Sequence, residues 1–316
     1  MEEFVIQTEN LTKDYSSWFR KTPNPALKDL TIAIPKGCIF GFLGPNGAGK
    51  TTTIKILMGL IRPTGGTASV LGKPYDDVEI KNRIGFLPDS PAFTPSLSAQ
   101  EFLDVCARLL KIPGNVRKQR VAEVLEIVRM SPHTKSKIGT FSRGMLQRIG
   151  IAQAILNRPD LLILDEPLLG LDPYGRQEFK EIILGQKHDF RASVFFSSHI
   201  LSDVEEICDS ISILNKGRLL CAGPISRLLA GGGNGLTVEI HNCDEAVKEL
   251  MTSADNVKKT GASDWELSFA QKTPELAAKL DALGAHGGET VKVRQTNDDL
   301  ETFFFRKIEE DNAIKS

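Results

Sequence analysis

The stretch Ile39-Phe40-Gly41-Phe42-Leu43-Gly44-Pro45-Asn46-Gly47-Ala48-Gly49-Lys50-Thr51 joins an unbroken apolar run to a glycine-rich turn. Residues 39–43 carry no polar side chain, as a strand covered on both faces requires. Residues 44–51 fit G-x-x-x-x-G-K-[ST], and a helix-like run opens at Thr52. Glycines in such a turn let successive N–H groups point inward around phosphate oxygens at a helix N-terminus, where the dipole also favours negative charge. Lys50 is then placed to reach β- and γ-phosphates, and Thr51 to ligate magnesium. At average composition the four fixed positions coincide by chance in a chain this long on the order of 1% of the time. A plain turn with an exposed lysine is therefore the lesser reading.

Two further apolar runs fit the same sheet. Leu161-Leu162-Ile163-Leu164 reads as a second buried strand and ends in Asp165-Glu166, and Ser193 to Ser197 reads as a third. Helical periodicity lies between them, so residues 1–230 read as an α/β domain with a mostly parallel sheet. Open sheets of this kind bind ligands at the carboxyl ends of their strands, where Asp165 and Glu166 would stand. Beside a phosphate loop, Asp165 is the expected magnesium partner, usually through water. Glu166 is the candidate to orient or deprotonate the attacking water.

Between about residues 91 and 145 no strand pattern occurs, and a helical insert is the economical reading. Ser98-x-x-Glu101 forms a capping box ahead of Phe102, Leu103, Cys106, Leu109 and Leu110. A second helix is predicted around Val121 to Met130, preceded by Arg117, Lys118 and Arg120, which read as a solvated basic face in preference to an anion site. Gly231-Gly232-Gly233-Asn234-Gly235 cannot pack a helix or strand core and is read as a linker. Beyond it, residues 236–316 follow a βαββαβ order, with strands at 236–240, 257–259, 265–269 and 290–294 and helices at 244–253 and 274–283. That is the order of a small ferredoxin-like α+β domain. A last helix sets Leu300, Phe303, Phe304 and Ile308 on one face, and this stripe reads as core.

Composition narrows the function classes. The 316 residues are 41% apolar before the 27 glycines are counted, an ordinary globular mixture, and at about 150 residues per domain they suit two domains. With 39 Lys+Arg against 40 Asp+Glu the formal charge is -1, so no global basic field holds a nucleic acid, and none is expected as a partner. Cys38, Cys106, Cys208, Cys221 and Cys243 form no C-x-x-C pair and read as small buried apolar residues of a reducing compartment. His241, Asp264 and His286 have no metal-ligand spacing. No apolar run approaches the roughly 20 residues needed to cross a bilayer, and the acidic start, Met1-Glu2-Glu3, leads into no secretion signal.

With these elements placed, the first 225 or so residues resemble the nucleotide-binding subunits of ATP-binding cassette transporters, whose motifs follow here in the family's order. The distinguishing one is Phe141-Ser142-Arg143-Gly144-Met145-Leu146-Gln147-Arg148, which looks like a variant of the L-S-G-G-Q signature. It keeps Ser142 and Gly144 and carries Arg143 for a glycine and Met145 for the glutamine. Taken alone, the same residues describe a helix N-terminus capped by Ser142. The resemblance implies a head-to-tail dimer, of two copies or with another ATP-binding subunit, in which one chain's signature faces the other's phosphate loop across two ATP molecules. Ser142 and Gly144 thereby join Gly44, Pro45, Asn46, Gly47, Ala48, Gly49, Lys50, Thr51 and Thr52 as nucleotide-binding positions.

His199 matches the family's switch histidine, so Lys50, Glu166 and His199 form the implied catalytic set. Leu169-Gly170-Leu171-Asp172 resembles the loop after Walker B, with Leu169 where a serine commonly stands. Tyr15 resembles the aromatic that stacks on adenine, Trp18 and Phe19 being the alternatives. Asp89, after Ile84-Gly85-Phe86-Leu87-Pro88, takes the place of the family's glutamine and joins Thr51 and Asp165 as an implied magnesium ligand. These departures look like the branch that contains multidrug, sodium and polysaccharide exporters. The implied function is an ATP-hydrolysing subunit using ATP and Mg2+ to drive a separate multi-span permease from the cytoplasmic face of the membrane. A soluble cassette ATPase and a slow nucleotide-controlled binding switch are the competing classes. Pro91, Phe93 and Leu97 are candidates for the permease groove, with local core packing as the alternative.

Overall fold

In the computed structural model the chain opens with strands β1 (Phe4–Lys13), β2 (Leu27–Pro35) and β3 (Ile39–Leu43), then helix α1 (Lys50–Leu57). Strands β4 (Gly65–Val70), β5 (Lys73–Pro74) and β6 (Ile84–Leu87) follow, then helices α2 (Ala99–Leu109), α3 (Gly114–Ile127) and α4 (Arg143–Ile155). Next come β7 (Leu161–Asp165), α5 (Pro173–His188), β8 (Ser193–Ser198), α6 (Leu201–Ile207), β9 (Ser210–Asn215), β10 (Arg218–Pro224) and α7 (Ile225–Ala230). The remaining elements are β11 (Gly235–Ile240), β12 (Asn256–Lys259), β13 (Trp265–Phe269), β14 (Lys292–Thr296) and α8 (Leu300–Ala313). The structure describes residues 3–15, 25–230, 235–240, 254, 256–259, 265–269, 276, 292–296 and 299–313.

The chain divides into two compact units, Met1–Ile225 with Asp311–Ser316, and Ser226–Glu310. In the first, the three apolar runs become adjacent strands of a six-stranded sheet in the order β10-β9-β3-β8-β7-β6. β3 pairs in parallel with β8 and β9, and β7 with β6 and β8, and only β10 runs antiparallel. Every residue of β3, β7 and β8 is buried, which is why their sequences show no alternation. Phe195 fills the middle, stacked on Phe40 at 6.1 Å between ring centroids and tilted against Phe42 at 5.1 Å. A second, antiparallel sheet, β2-β1-β4-β5, adds Ile6, Leu11, Leu30, Ile34 and Val70 to the same core. Its strands alternate buried and exposed positions, a weaker sequence signal than the apolar runs.

The helical insert is present as α2, α3 and the start of α4. Ser98 caps α2 in the predicted box: its Oγ accepts from Glu101 N at 3.3 Å, while its own N–H donates to Glu101 Oε2 at 2.7 Å. Phe102 and Leu103 are buried and Cys106 is half-buried, but Leu109, in the last turn, is exposed. The second helix starts at Gly114, seven residues before the predicted Val121, and ends at Ile127. Its first two turns are largely polar, so the apolar period of Val121, Val124 and Leu125 only begins at the later point. Arg117, Lys118 and Arg120 accordingly lie inside the helix, and the solvated-face reading fails for Arg120. That side chain is buried and donates to the Leu156 and Ile155 carbonyls at 2.8 and 2.6 Å, closing the C-terminal end of α4.

Hydrogen bonds from the Ser98 backbone N–H and hydroxyl, with the Lys137 ammonium nearby, hold the Glu101 carboxyl from its ordinary 4.5 down to about 2. A folded-state value below the unfolded one stabilises the fold fully above about pH 4.5, and this contribution fades as pH falls toward 2. Glu101→Gln is expected to flatten the acid-side loss of stability in that window, measured by urea denaturation at a series of pH values.

In the second unit the strand order is β12-β13-β11-β14, all antiparallel, with the first and third strands side by side in the centre. That is the strand order of a split βαβ unit. The predicted helices at 244–253 and 274–283 lie outside the described residues save position 276, as do residues 231–234, Cys243, His241, Asp264 and His286. Leu300, Phe303 and Phe304 of α8 are buried and Ile308 is half-buried, so the aromatic stripe is core.

Candidate functional site

Parallel strands aim their carboxyl ends at one edge of the sheet, and four such ends define the site. Gly44 follows β3, Asp89 follows β6, Glu166 follows β7 and His199 follows β8. The turn after β3 feeds α1 through Gly49, whose φ of 110° lies in the left-handed region open to glycine. A Cβ there would also stand 2.6 Å from the Ala26 carbonyl oxygen. The result is a cavity of about 480 Å³ lined by residues 45–52 together with Ala26, Asp89, Glu166, Leu169 and His199. Gly44 supports it from below, since its carbonyl accepts from Lys50 Nζ at 2.7 Å.

Lys50 is 6% exposed and therefore held by partners: the Gly44 carbonyl, the Pro45 carbonyl at 3.4 Å and Glu166 Oε1 at 3.2 Å. Glu166 is also engaged by His199, whose Nδ1 lies 2.8 Å from Oε2. Its backbone has φ 49°, in the left-handed region that a glutamate seldom adopts and that tends to mark functional positions. Beside it Asp165 is 2% exposed. Burial pushes the Asp165 carboxyl above its ordinary range, the Ser197 and Thr51 hydroxyls pull it partway back, and the Glu166 and Asp89 charges push it further up. Ser197 Oγ donates to Asp165 Oδ1 at 2.6 Å and accepts the Glu166 N–H at 2.9 Å.

The structure thus gathers Lys50, Thr51, Thr52, Asp89, Asp165, Glu166 and His199 around the phosphate loop. Tyr15 is not among the lining residues: it is 57% exposed, with Lys13 Nζ 5.1 Å from its ring centroid, and Trp18 and Phe19 lie outside the described residues. Ser142 and Gly144 line a second cavity of about 570 Å³, with Arg129, Arg143, Arg148, Gly170, Asp172 and Tyr174 among its walls. Within this chain Ser142 caps α4, accepting from Met145 N at 3.3 Å. Asp172 likewise caps α5 through Gly175 N at 2.9 Å. Phe93 packs edge-on to Phe102 at 5.4 Å and, with Pro91, against Gly150, the local-packing alternative for that segment.

Ser197 and Gln147 support the site, though the sequence assigns neither of them a role there. The signal for Ser197 is weak, since it is one of three serines in Ser193–Ser198. Gln147 is buried and donates to the Pro167 carbonyl at 2.8 Å, tying α4 to the loop after Glu166. The cysteines differ from expectation in degree: Cys38, Cys106, Cys208 and Cys221 are half-buried rather than buried. Burial still pushes the Cys38 and Cys106 thiols up to about 11, and Cys208 well up, which suits unreactive thiols.

Arg143, one of the two residues that depart from the signature pattern, lies against Gly170. A Cβ at position 170 would stand 2.4 Å from Arg143 Cζ, and Gly170 has φ +74°. Gly170→Ala is expected to cost about 1–3 kcal/mol of stability through backbone strain and displacement of the guanidinium. Adding Arg143→Ala should recover part of that loss in urea denaturation, and an equal loss in the double variant would show the guanidinium to be irrelevant.

Residues 27–169 match the ABC transporter family. An ABC transporter ATP-binding protein of Nostoc sp. is 39% identical over 313 residues, which is 98% of this chain and 91% of that one. The bacitracin transport ATP-binding protein BcrA of Bacillus licheniformis is 36% identical over 311 residues, 96% of this chain and 97% of its own. A solved structure of the ATP-binding subunit of an ABC transporter superposes with a TM-score of 0.64 at 30% identity, over 72% of this chain and 92% of that one.

Proposed function

Because the chain belongs to the ATP-binding subunits of ABC transporters, a family of ATPases, we propose that its ATP hydrolysis drives a separate membrane-spanning exporter subunit. The working unit is a head-to-tail dimer, of two copies or with another ATP-binding subunit, closed around two Mg-ATP. The observation that carries the dimer reading is that, within one chain, the phosphate loop and the signature line different cavities. Leu169 lines the one at the phosphate loop and Gly170, the next residue, lines the one at Ser142 and Gly144, and no residue lines both. On this reading a nucleotide in the first cavity meets the signature of a second chain at its γ-phosphate.

Magnesium fits the donors present. The Thr51 hydroxyl and the Asp165 and Asp89 carboxylates are hard oxygen ligands beside the phosphate loop, the kind this ion takes along with phosphate oxygens. Bound there, it would neutralise phosphate charge during transfer. The chain's own residues do the rest. Phosphate oxygens replace the Gly44 and Pro45 carbonyls as partners of the Lys50 ammonium. Glu166, steadied by His199, accepts a proton from the attacking water as its oxygen bonds to the γ-phosphorus and the bond to the leaving ADP oxygen breaks. Signature contacts from the second chain reach the γ-phosphate alone, so cleavage removes the link that holds the dimer shut.

Among the described residues no helix is long and apolar enough to cross a membrane. The relative named for bacitracin transport supports the coupling to an exporter. The test is a pull-down of tagged Glu166→Gln protein with ATP from detergent-solubilised membranes of its native cell. A stoichiometric multi-span partner is the expected result. Recovery of soluble partners alone, with the protein absent from membranes, would replace this reading with a soluble cassette ATPase.

A further inference from the structure

We propose that Ser197 is a positioning residue for ATP hydrolysis: its single buried hydroxyl fixes Asp165 and Glu166 together. The inference rests on the reading of Glu166 as the group that receives the water's proton. Ser197 is fully buried on β8, directly beside Asp165 in the parallel pairing of β7 with β8. β7 stops at Asp165, because Glu166 turns into the left-handed region, at φ 49°, and its N–H leaves the ladder. That N–H donates to Ser197 Oγ at 2.9 Å, and the same hydroxyl donates a hydrogen bond to Asp165 Oδ1 at 2.6 Å. An oxygen that must donate to one neighbour and accept from the other has no freedom left to rotate.

The sheet itself has no use for this hydroxyl. The strand it interrupts is Val194-Phe195-Phe196, packed on both sides, where a small apolar residue would fill the space without a polar group to satisfy. What the hydroxyl does secure is the disfavoured backbone of Glu166, and with it the aim of that carboxylate toward Lys50 and His199. Without it, the Glu166 N–H loses its buried acceptor, and the residue can relax toward an ordinary backbone geometry that points the carboxylate elsewhere. A displacement of about an ångström in a catalytic group suffices for a large loss of rate.

The experiment measures steady-state ATPase and ATP affinity of the full chain. Ser197→Ala should lower kcat roughly tenfold with ATP affinity within about threefold of the parent. Ser197→Thr, which keeps the hydroxyl, should restore most of the rate. In a Glu166→Gln background Ser197→Ala should cause a smaller loss than in the parent, since the part that acts through Glu166 is already gone. If Ser197→Ala fails to fold, the near-isosteric Ser197→Cys carries the same expectation of lost kcat at retained affinity. Unchanged kcat in the Ala or Cys variant, a parallel loss of affinity, or no recovery with Thr would overturn the proposal. Parent-level turnover in Glu166→Gln alone would instead overturn the base reading on which it rests.

Discussion

Glu166→Gln is expected to lower ATP turnover by about 100-fold or more while leaving ATP binding intact. The amide keeps the size and hydrogen-bonding reach of the carboxylate, so the contacts from His199 and Lys50 persist in altered form, but it cannot take the water's proton. ATP then enters the cavity and stays whole, and the species that accumulates is the closed dimer. Phosphate release measures the first effect. Gel filtration with saturating ATP and magnesium measures the second, where elution as a monomer alone would contradict the head-to-tail arrangement. The two readouts separate the chemical role of Glu166 from the mode of assembly, since a dead monomer would keep the first and lose the second.

The parts of this site that follow local chemistry were legible in the sequence. A phosphate loop needs glycine where φ is positive and backbone crowds the turn, and Gly49 meets both conditions, so its pattern is strict. β3 and residues 161–164 of β7 announce themselves because burial on both faces removes every polar side chain there. The capping box at Ser98 and Glu101 is likewise written within four residues. What sequence order does not display is pairing across the sheet. Ser197 acquires its role only because β8 lies beside β7 in a register that sets it next to Asp165, 32 residues away in the chain. Arg120 reads as one cation among several until the fold delivers the carbonyls of α4 to it. The early turns of α3 escaped for the opposite reason: a helix with little buried surface at its start offers no period to detect.

Lys50→Ala is expected to reduce ATP affinity by about 100-fold, and turnover falls with it. The ammonium is buried in a ring of oxygens, two carbonyls from the turn and the Glu166 carboxylate, so its charge is concentrated where the phosphates must lie. A triphosphate brings several negative charges into a cavity already lined by Asp89 and Glu166, with Asp165 buried next to Glu166. Without Lys50 the nearest compensation is the row of backbone N–H groups and the N-terminus of α1, which attract phosphate more weakly than a fixed cation does. Lys50→Arg should not rescue, because the planar guanidinium is wider than the ammonium and the turn that encloses it has no slack at Gly44, where a Cβ would already meet the Leu214 carbonyl oxygen at 2.5 Å. Isothermal titration with ATP and magnesium measures the loss. Affinity within about threefold of the parent would mean that the loop's backbone holds the phosphates without Lys50, and the charge argument for this cavity would fail.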